Sequence, residues 1–196
     1  MNRILVAGNP NYGLAKEIFK IYPNSTFLSR TSGVDLTLSE GHKICAEMVL
    51  NFDIFINCSA LWKFNQTVLL DQVYKSCIDN KHICHIICIG STTDRVKKGG
   101  AWLYNAEKKA LRDYANTLGI NGVWSHGPKL SLISFGSLSN VQHKHPDRRC
   151  MPIDQAALYI KWLIDQPRNI CINEISIDPM QPDFWNNKVE DINGKT

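Results

Sequence analysis

Arg3–Ala7 (RILVA) is apolar without alternation, the pattern of a strand buried on both faces of a parallel sheet. Asp53–Asn57 (DIFIN) is a second buried run, and Ile83–Gly90 (ICHIICIG) is a longer one that reads as the central strand. Ser25–Ser29, Gly33–Leu36, Ile120–Trp124 and Ile170–Ile177 read as further strands. Helical patterns lie between them: one after Gly13, one over Ser39–Asn51 with Ser39 as N-cap, then Phe64–Asp79, Ala101–Leu118 and Pro152–Asp165. Such alternation along the chain predicts a doubly wound parallel sheet of about seven strands with helices on both faces. No boundary divides the pattern, so one domain over 1–196 is expected, with a polar tail at 178–196.

Composition narrows the function. With 22 basic against 18 acidic residues the net charge is +4, and no basic block suggests a nucleic-acid arm. The apolar runs fall short of a membrane span, and the start MNRILVAG has no secretory core, so neither membrane nor nucleic acid is an expected partner. Seven scattered cysteines, an odd number without framework spacing, argue for reduced thiols in a cytoplasm. Cys84, Cys88, His82 and His85 do not make a metal site, because strand neighbours face opposite ways and cannot close a tetrahedral shell locally.

The chemistry is concentrated after the central strand. Ser91 stands at its end, Tyr104 comes thirteen positions later, and Lys108 four beyond that. On a helix, Tyr104 and Lys108 share a face one turn apart. An ammonium beside a phenol favours phenolate and lowers the tyrosine pKa, while a strand-end serine can hydrogen-bond a substrate oxygen. Together they form a proton-transfer device; a solvated lysine beside a half-buried tyrosine is the bland alternative. Upstream, Gly8-Asn9-Pro10-Asn11-Tyr12-Gly13 links the first strand to a helix. Glycine there lets backbone approach a pyrophosphate, and the helix start offers unpaired N–H groups. An ordinary strand-to-helix turn is the other reading. Ser29-Arg30-Thr31 holds no carboxylate where a ribose-binding acid would stand; the Arg30 guanidinium can pair with a 2′-phosphate instead.

This order of features resembles the short-chain dehydrogenase/reductase family over roughly positions 1–180. The resemblance implies a Rossmann-like fold and hydride transfer between a nicotinamide and a carbonyl or alcohol, with NADPH preferred over NADH. It implies Tyr104 as acid/base, Ser91 as holder of the substrate oxygen, and Lys108 as ribose ligand and tuner of the phenol. Asn65 is expected to hold a relay water, a helix-start asparagine being an equally good reading. Gly8, Asn9, Asn11, Tyr12 and Gly13 would cradle the pyrophosphate, Ser29 and Arg30 the adenosine ribose, and Asp35 with Leu36 the adenine edge. The family's Asn-Asn-Ala-Gly is matched by Asn57-Cys58-Ser59-Ala60, and its Pro-Gly segment by Gly127 and Ser131, with His126 in place of proline.

Leu132–Cys150 is a polar loop suited to cover a substrate, and His143, His145, Arg148 and Arg149 could select an anion there or form a solvated basic loop. The family also implies a homodimer or homotetramer through the helices at Phe64–Asp79 and Ala101–Leu118. Two other functions stay open: an inactive NADP(H)-binding sensor or scaffold, favoured by the eroded glycine turn, and a nucleotide-sugar epimerase or dehydratase, which also uses Tyr and Lys.

Overall fold

A computed structural model of the protein describes residues 2–59, 61–95, 102–144, 146 and 149–180. Among them six parallel strands form one sheet: β1 (Ile4–Ala7), β2 (Thr26–Leu28), β3 (Ile54–Asn57), β4 (His85–Ser91), β5 (Lys129–Phe135) and β6 (Glu174–Ile177). Their order is β2-β1-β3-β4-β5-β6, so the winding reverses between β1 and β3. The helices are α1 (Gly13–Ile21), α2 (Ser39–Met48), α3 (Asn65–Asp79), α4 (Leu103–Ser125) and α5 (Ile153–Ile164). This is a Rossmann-like architecture. No helix among the described residues is long and apolar enough to cross a membrane.

Strand alternation explains the two layers. Leu5, Phe55, Ile86 and Leu132 point to one face, where Val49, Leu69, Val73 and Leu111 from the α2–α4 side cover them. Val6, Ile56, Ile87 and Ile133 point to the other, against Leu14, Ile18, Ala156 and Ile160 from α1 and α5. Both sides of the sheet are therefore dry, as the unbroken apolar runs require.

Two expected strands do not form. Gly33–Leu36 lies in turns: Arg30–Ser32 is a short 3-10 turn, Gly33 has φ 82°, and Asp35 Oδ1 accepts the Thr37 N–H at 2.9 Å. Turn chemistry outweighs the two apolar residues of that segment, and the sheet has six strands rather than about seven. Ile120–Trp124 is not a strand but the last turns of α4. The strand that follows the helix is Lys129–Phe135, so the loop starts after β5 rather than at Leu132. Two serines, one on each face, disguised it. Ser131 and Ser134 are fully buried, yet each has a partner: the His85 ring at 2.9 Å and the Asp94 carboxylate at 3.4 Å.

Candidate active site

The winding reversal opens a crevice at the carboxyl ends of β1 and β3, the usual ligand position in such sheets. Gly8 leaves β1 and Cys58 leaves β3. A Cβ on Gly8 would stand 2.9 Å from the Ala15 Cβ and 3.6 Å from the Cys58 Cβ, so a side chain there would collide with α1. Gly13 starts α1 at φ 60°, a conformation that suits glycine, and Tyr12 at the N-cap supplies no side-chain hydrogen bond. The start of α1 thus faces the crevice uncapped, with its dipole favouring an anion. The whole cavity measures about 1250 Å³ and reaches from Gly8, Asn9 and Tyr12 past Ser91 and Tyr104 to Gly136 and Ser137. That is roomier than the ~300–1,000 Å³ of ordinary small-molecule pockets.

Ser91, Tyr104 and Lys108 converge on this cavity. Ser91 ends β4, and its Oγ accepts the Thr93 N–H at 3.4 Å. Thr93 in turn donates its hydroxyl to Asn105 Oδ1 at 2.6 Å, tying the strand end to the first turn of α4. Lys108 lies 5.7 Å from the centre of the Tyr104 ring. Its Nζ donates to Gln66 Oε1 at 2.7 Å and to the Ile89 carbonyl at 3.2 Å. Gln66 is 4% exposed and fully engaged, because its Nε2 also donates to the Asn57 and Ile89 carbonyls, both at 3.1 Å. One side-chain amide therefore clamps β3, β4 and the lysine together.

The electrostatics depart from the expected tuning. Burial holds the Tyr104 phenol above its ordinary 10.0, the Ser91 hydroxyl pulls it back, and Glu107 adds to the rise. Lys108 itself is pushed down to about 8 by burial, against opposing pulls from Cys58, Cys88, Glu107 and Asp94. Desolvation is the largest influence on both groups, disfavouring phenolate and ammonium alike. Cys58 and Cys88 are both driven up to about 12 by burial, so each stays a thiol, although Lys108 works in the opposite direction.

The other predicted residues divide. Gly8, Asn9, Tyr12, Gly13 and Cys58 line the cavity; Asn11 and Ser59 stand outside its wall, Asn11 donating its N–H to Asn9 Oδ1 at 2.9 Å. Ala60, His145 and Arg148 lie outside the described residues. Asn57 is fully buried and donates to the Gln66 carbonyl at 3.0 Å. Ser29 and Arg30 follow β2, beyond the cavity wall, with Arg30 exposed. Asp35 is held below the usual carboxylate range chiefly by its Thr37 hydrogen bonds, with a lesser contribution from Arg30. Leu36 packs in the core at 3% exposure and its carbonyl meets the His42 ring at 2.7 Å, so its side chain does not reach the crevice.

Asn65, Gly127 and Ser131 are placed differently from the sequence expectation. Asn65 does not meet the lysine; its amide donates to the Trp62 carbonyl at 2.8 Å, and the neighbouring Gln66 takes the position facing Lys108. Gly127 precedes β5 and Ser131 is buried within it, both away from the cavity. The segment that leaves the carboxyl end of β5 is Gly136-Ser137, and it does line the cavity. INGVW belongs to α4, and the strand lies one run later, so Gly127 and Ser131 fall at and after its amino end rather than at its carboxyl end. Gln66 was missed because a glutamine inside a helix carries no sequence signal of burial; only the strand ends it bridges reveal it.

No family model matches the chain, and no curated protein matches it in sequence. Solved structures do match in fold. Serine dehydrogenase from Escherichia coli superposes with a TM-score of 0.68 at 16% identity, covering 89% of this chain and 96% of that one. A short-chain dehydrogenase from Burkholderia cenocepacia in complex with NADP gives 0.71 at 12% identity, covering 98% and 95%. A 4-hydroxyisoleucine dehydrogenase complexed with NADH gives 0.67 at 17% identity, covering 90% and 97%.

Proposed function

This chain has the short-chain dehydrogenase/reductase fold in a divergent form, and we propose that it is an NADP(H)-dependent oxidoreductase acting on a small carbonyl or alcohol substrate. The observation that carries the reading is the meeting of Ser91, Tyr104 and Lys108 on the wall of one cavity at the winding reversal. Residues fit for a dinucleotide lie along the same wall. Gly8, Asn9, Tyr12 and Gly13 would take the pyrophosphate at the uncapped start of α1, where backbone can come close.

When bound, the nicotinamide supplies or accepts the hydride at the substrate carbon. The chain's own groups handle the oxygen and its proton. The Ser91 hydroxyl holds the carbonyl oxygen, and Tyr104 delivers its phenolic proton to that oxygen during reduction. A phenol raised above 10.0 is protonated at neutral pH, which suits it to donate. Lys108 would bind the nicotinamide ribose, and Gln66 fixes the position of its Nζ.

The 2′-phosphate would meet Arg30, which is exposed at the end of β2 with no carboxylate in the ribose-binding position. Charge-assisted hydrogen bonds are about twice as strong as neutral ones, so a preference for NADPH of about tenfold is expected. Fluorescence titration with both nucleotides tests it. NADPH should bind more tightly, and Arg30→Ala should remove the difference; equal or tighter NADH binding by the wild type would overturn the preference.

A further inference from the structure

Trp62 lines the cavity and is 63% exposed. Its indole lies tilted against the Tyr104 ring, centroids 5.6 Å apart and planes at 53°. Two consecutive residues after it, Lys63 and Phe64, have φ of 58° and 60°, a left-handed conformation that non-glycine backbone rarely adopts. The turn is held nonetheless. Glu107, 5% exposed on α4, accepts the Lys63 N–H at 2.6 Å. Asn65 fixes the Trp62 carbonyl through its side chain at 2.8 Å and its backbone N–H at 3.2 Å. A strained turn pinned by a buried carboxylate thus presents a large apolar ring face beside the proton donor.

The rest of that end of the cavity agrees. Trp102, 67% exposed just before α4, borders it as well. Of the cations lining the cavity, Arg95 donates to Glu174 at 2.9 Å and stands 3.8 Å from Asp94, Lys108 is held by Gln66, and Lys144 lies on the wall beyond β5. Asp178 adds a carboxylate there, accepting the Thr92 hydroxyl at 2.7 Å. An anionic substrate group beside Asp178 would find Arg95 already paired; a flat, uncharged one would cover the exposed indoles.

We propose that Trp62 is the substrate-recognition residue and that the substrate class is an uncharged carbonyl or alcohol with an aromatic ring next to the reacting carbon, stacked on the Trp62 indole. This rests on the oxidoreductase reading above. Aromatic pairs add enough beyond simple burial to favour an aryl substrate over a saturated one of like size about 2- to 10-fold.

The test compares acetophenone with cyclohexyl methyl ketone on the purified protein with NADPH. The expected kcat/KM ratio favours acetophenone by that factor, falls to about one in Trp62→Ala, and is largely kept in Trp62→Phe, with dinucleotide affinity unchanged. A wild-type ratio of one, or one that Trp62→Ala leaves unchanged, overturns the proposal while leaving the oxidoreductase reading intact. Saturation-transfer NMR of the same ketones with NADP⁺ separates the two. Acetophenone bound through Trp62 without turnover sustains the ligand class and sinks the enzyme reading; neither ketone bound nor turned over overturns the ligand class as well.

Discussion

Lys108 is 6% exposed with a pKa near 8 against an ordinary 10.5, so its charged form is disfavoured by folding. Between those two values the unfolded chain binds more protons than the folded one, and this group's contribution to stability rises with pH. Below about 8 the ammonium is charged in both states and the full cost of burying it is present. Lys108→Met should therefore gain on the wild type most below pH 8, and its advantage should shrink by up to about 3 kcal/mol as pH climbs toward 10.5. Urea denaturation of both proteins across that window checks it; a pH-independent difference would mean the lysine is not buried as a charge. Taking the difference between the two proteins matters, because buried thiols such as Cys45, raised to about 12, push stability the other way above pH 9. Tyr104 carries the companion prediction. Tyr104→Phe removes the proton donor and keeps the ring packed on Trp62, so carbonyl reduction should fall about 10²- to 10⁴-fold with NADPH binding retained. Near-wild-type turnover in that variant would sink the mechanism. An inactive sensor would instead bind NADPH and reduce no carbonyl in either form.

At the scale of elements, α4 is the part that sequence patterns misjudge. Its 23 residues run on through Ile120–Trp124 because the helix must pass close over the segment that enters β5. Gly122 makes that passage possible: a Cβ there would lie 2.4 Å from the Pro128 carbonyl oxygen, a backbone atom that cannot swing aside. Beyond it the helix ends on His126 at φ 56°, and the Gly127 N–H returns to the Gly122 carbonyl at 3.0 Å. Gly122→Ala should destabilise the protein by about 1–3 kcal/mol despite alanine's better helix propensity, since overpacking outweighs the ~1 kcal/mol that propensity returns. A thermal or urea midpoint equal to or above the wild type would show that the helix and β5 separate more easily than the close contact implies.

For the whole molecule, α3 and α4 are the helices expected to pair across a two-fold axis, and the far end of α4 leaves Ile120, Val123 and Trp124 at 55%, 54% and 82% exposure. We propose that a second copy of the chain covers this face, symmetric pairing being the commonest route to an oligomer. Light scattering at micromolar concentration should give twice the chain mass, and Trp124→Glu should return it to that of one chain. A monomeric wild type would overturn the assembly without touching the site, because Trp124 stands away from the cavity.

The dry strands β1, β3 and β4, the helix after Gly13, and the Ser91/Tyr104/Lys108 interval were legible in the sequence. Each is set by local spacing: apolar runs without alternation mark strands buried on both faces, and a four-residue step puts two side chains on one helix face. Tertiary structure alone decided the rest. Whether INGVW continues a helix or starts a strand depends on Gly122 passing over Pro128, a contact between segments. KLSLISF is an interior strand whose buried serines find their partners in His85 and Asp94. Lys108 finds its partner in Gln66, which neither charge nor periodicity marks, and the phenol is governed by its burial. Local patterns specify which residues are apolar and how they repeat; partners for buried polar groups come from elements far apart in the chain, and those partners exist only once the sheet has assembled.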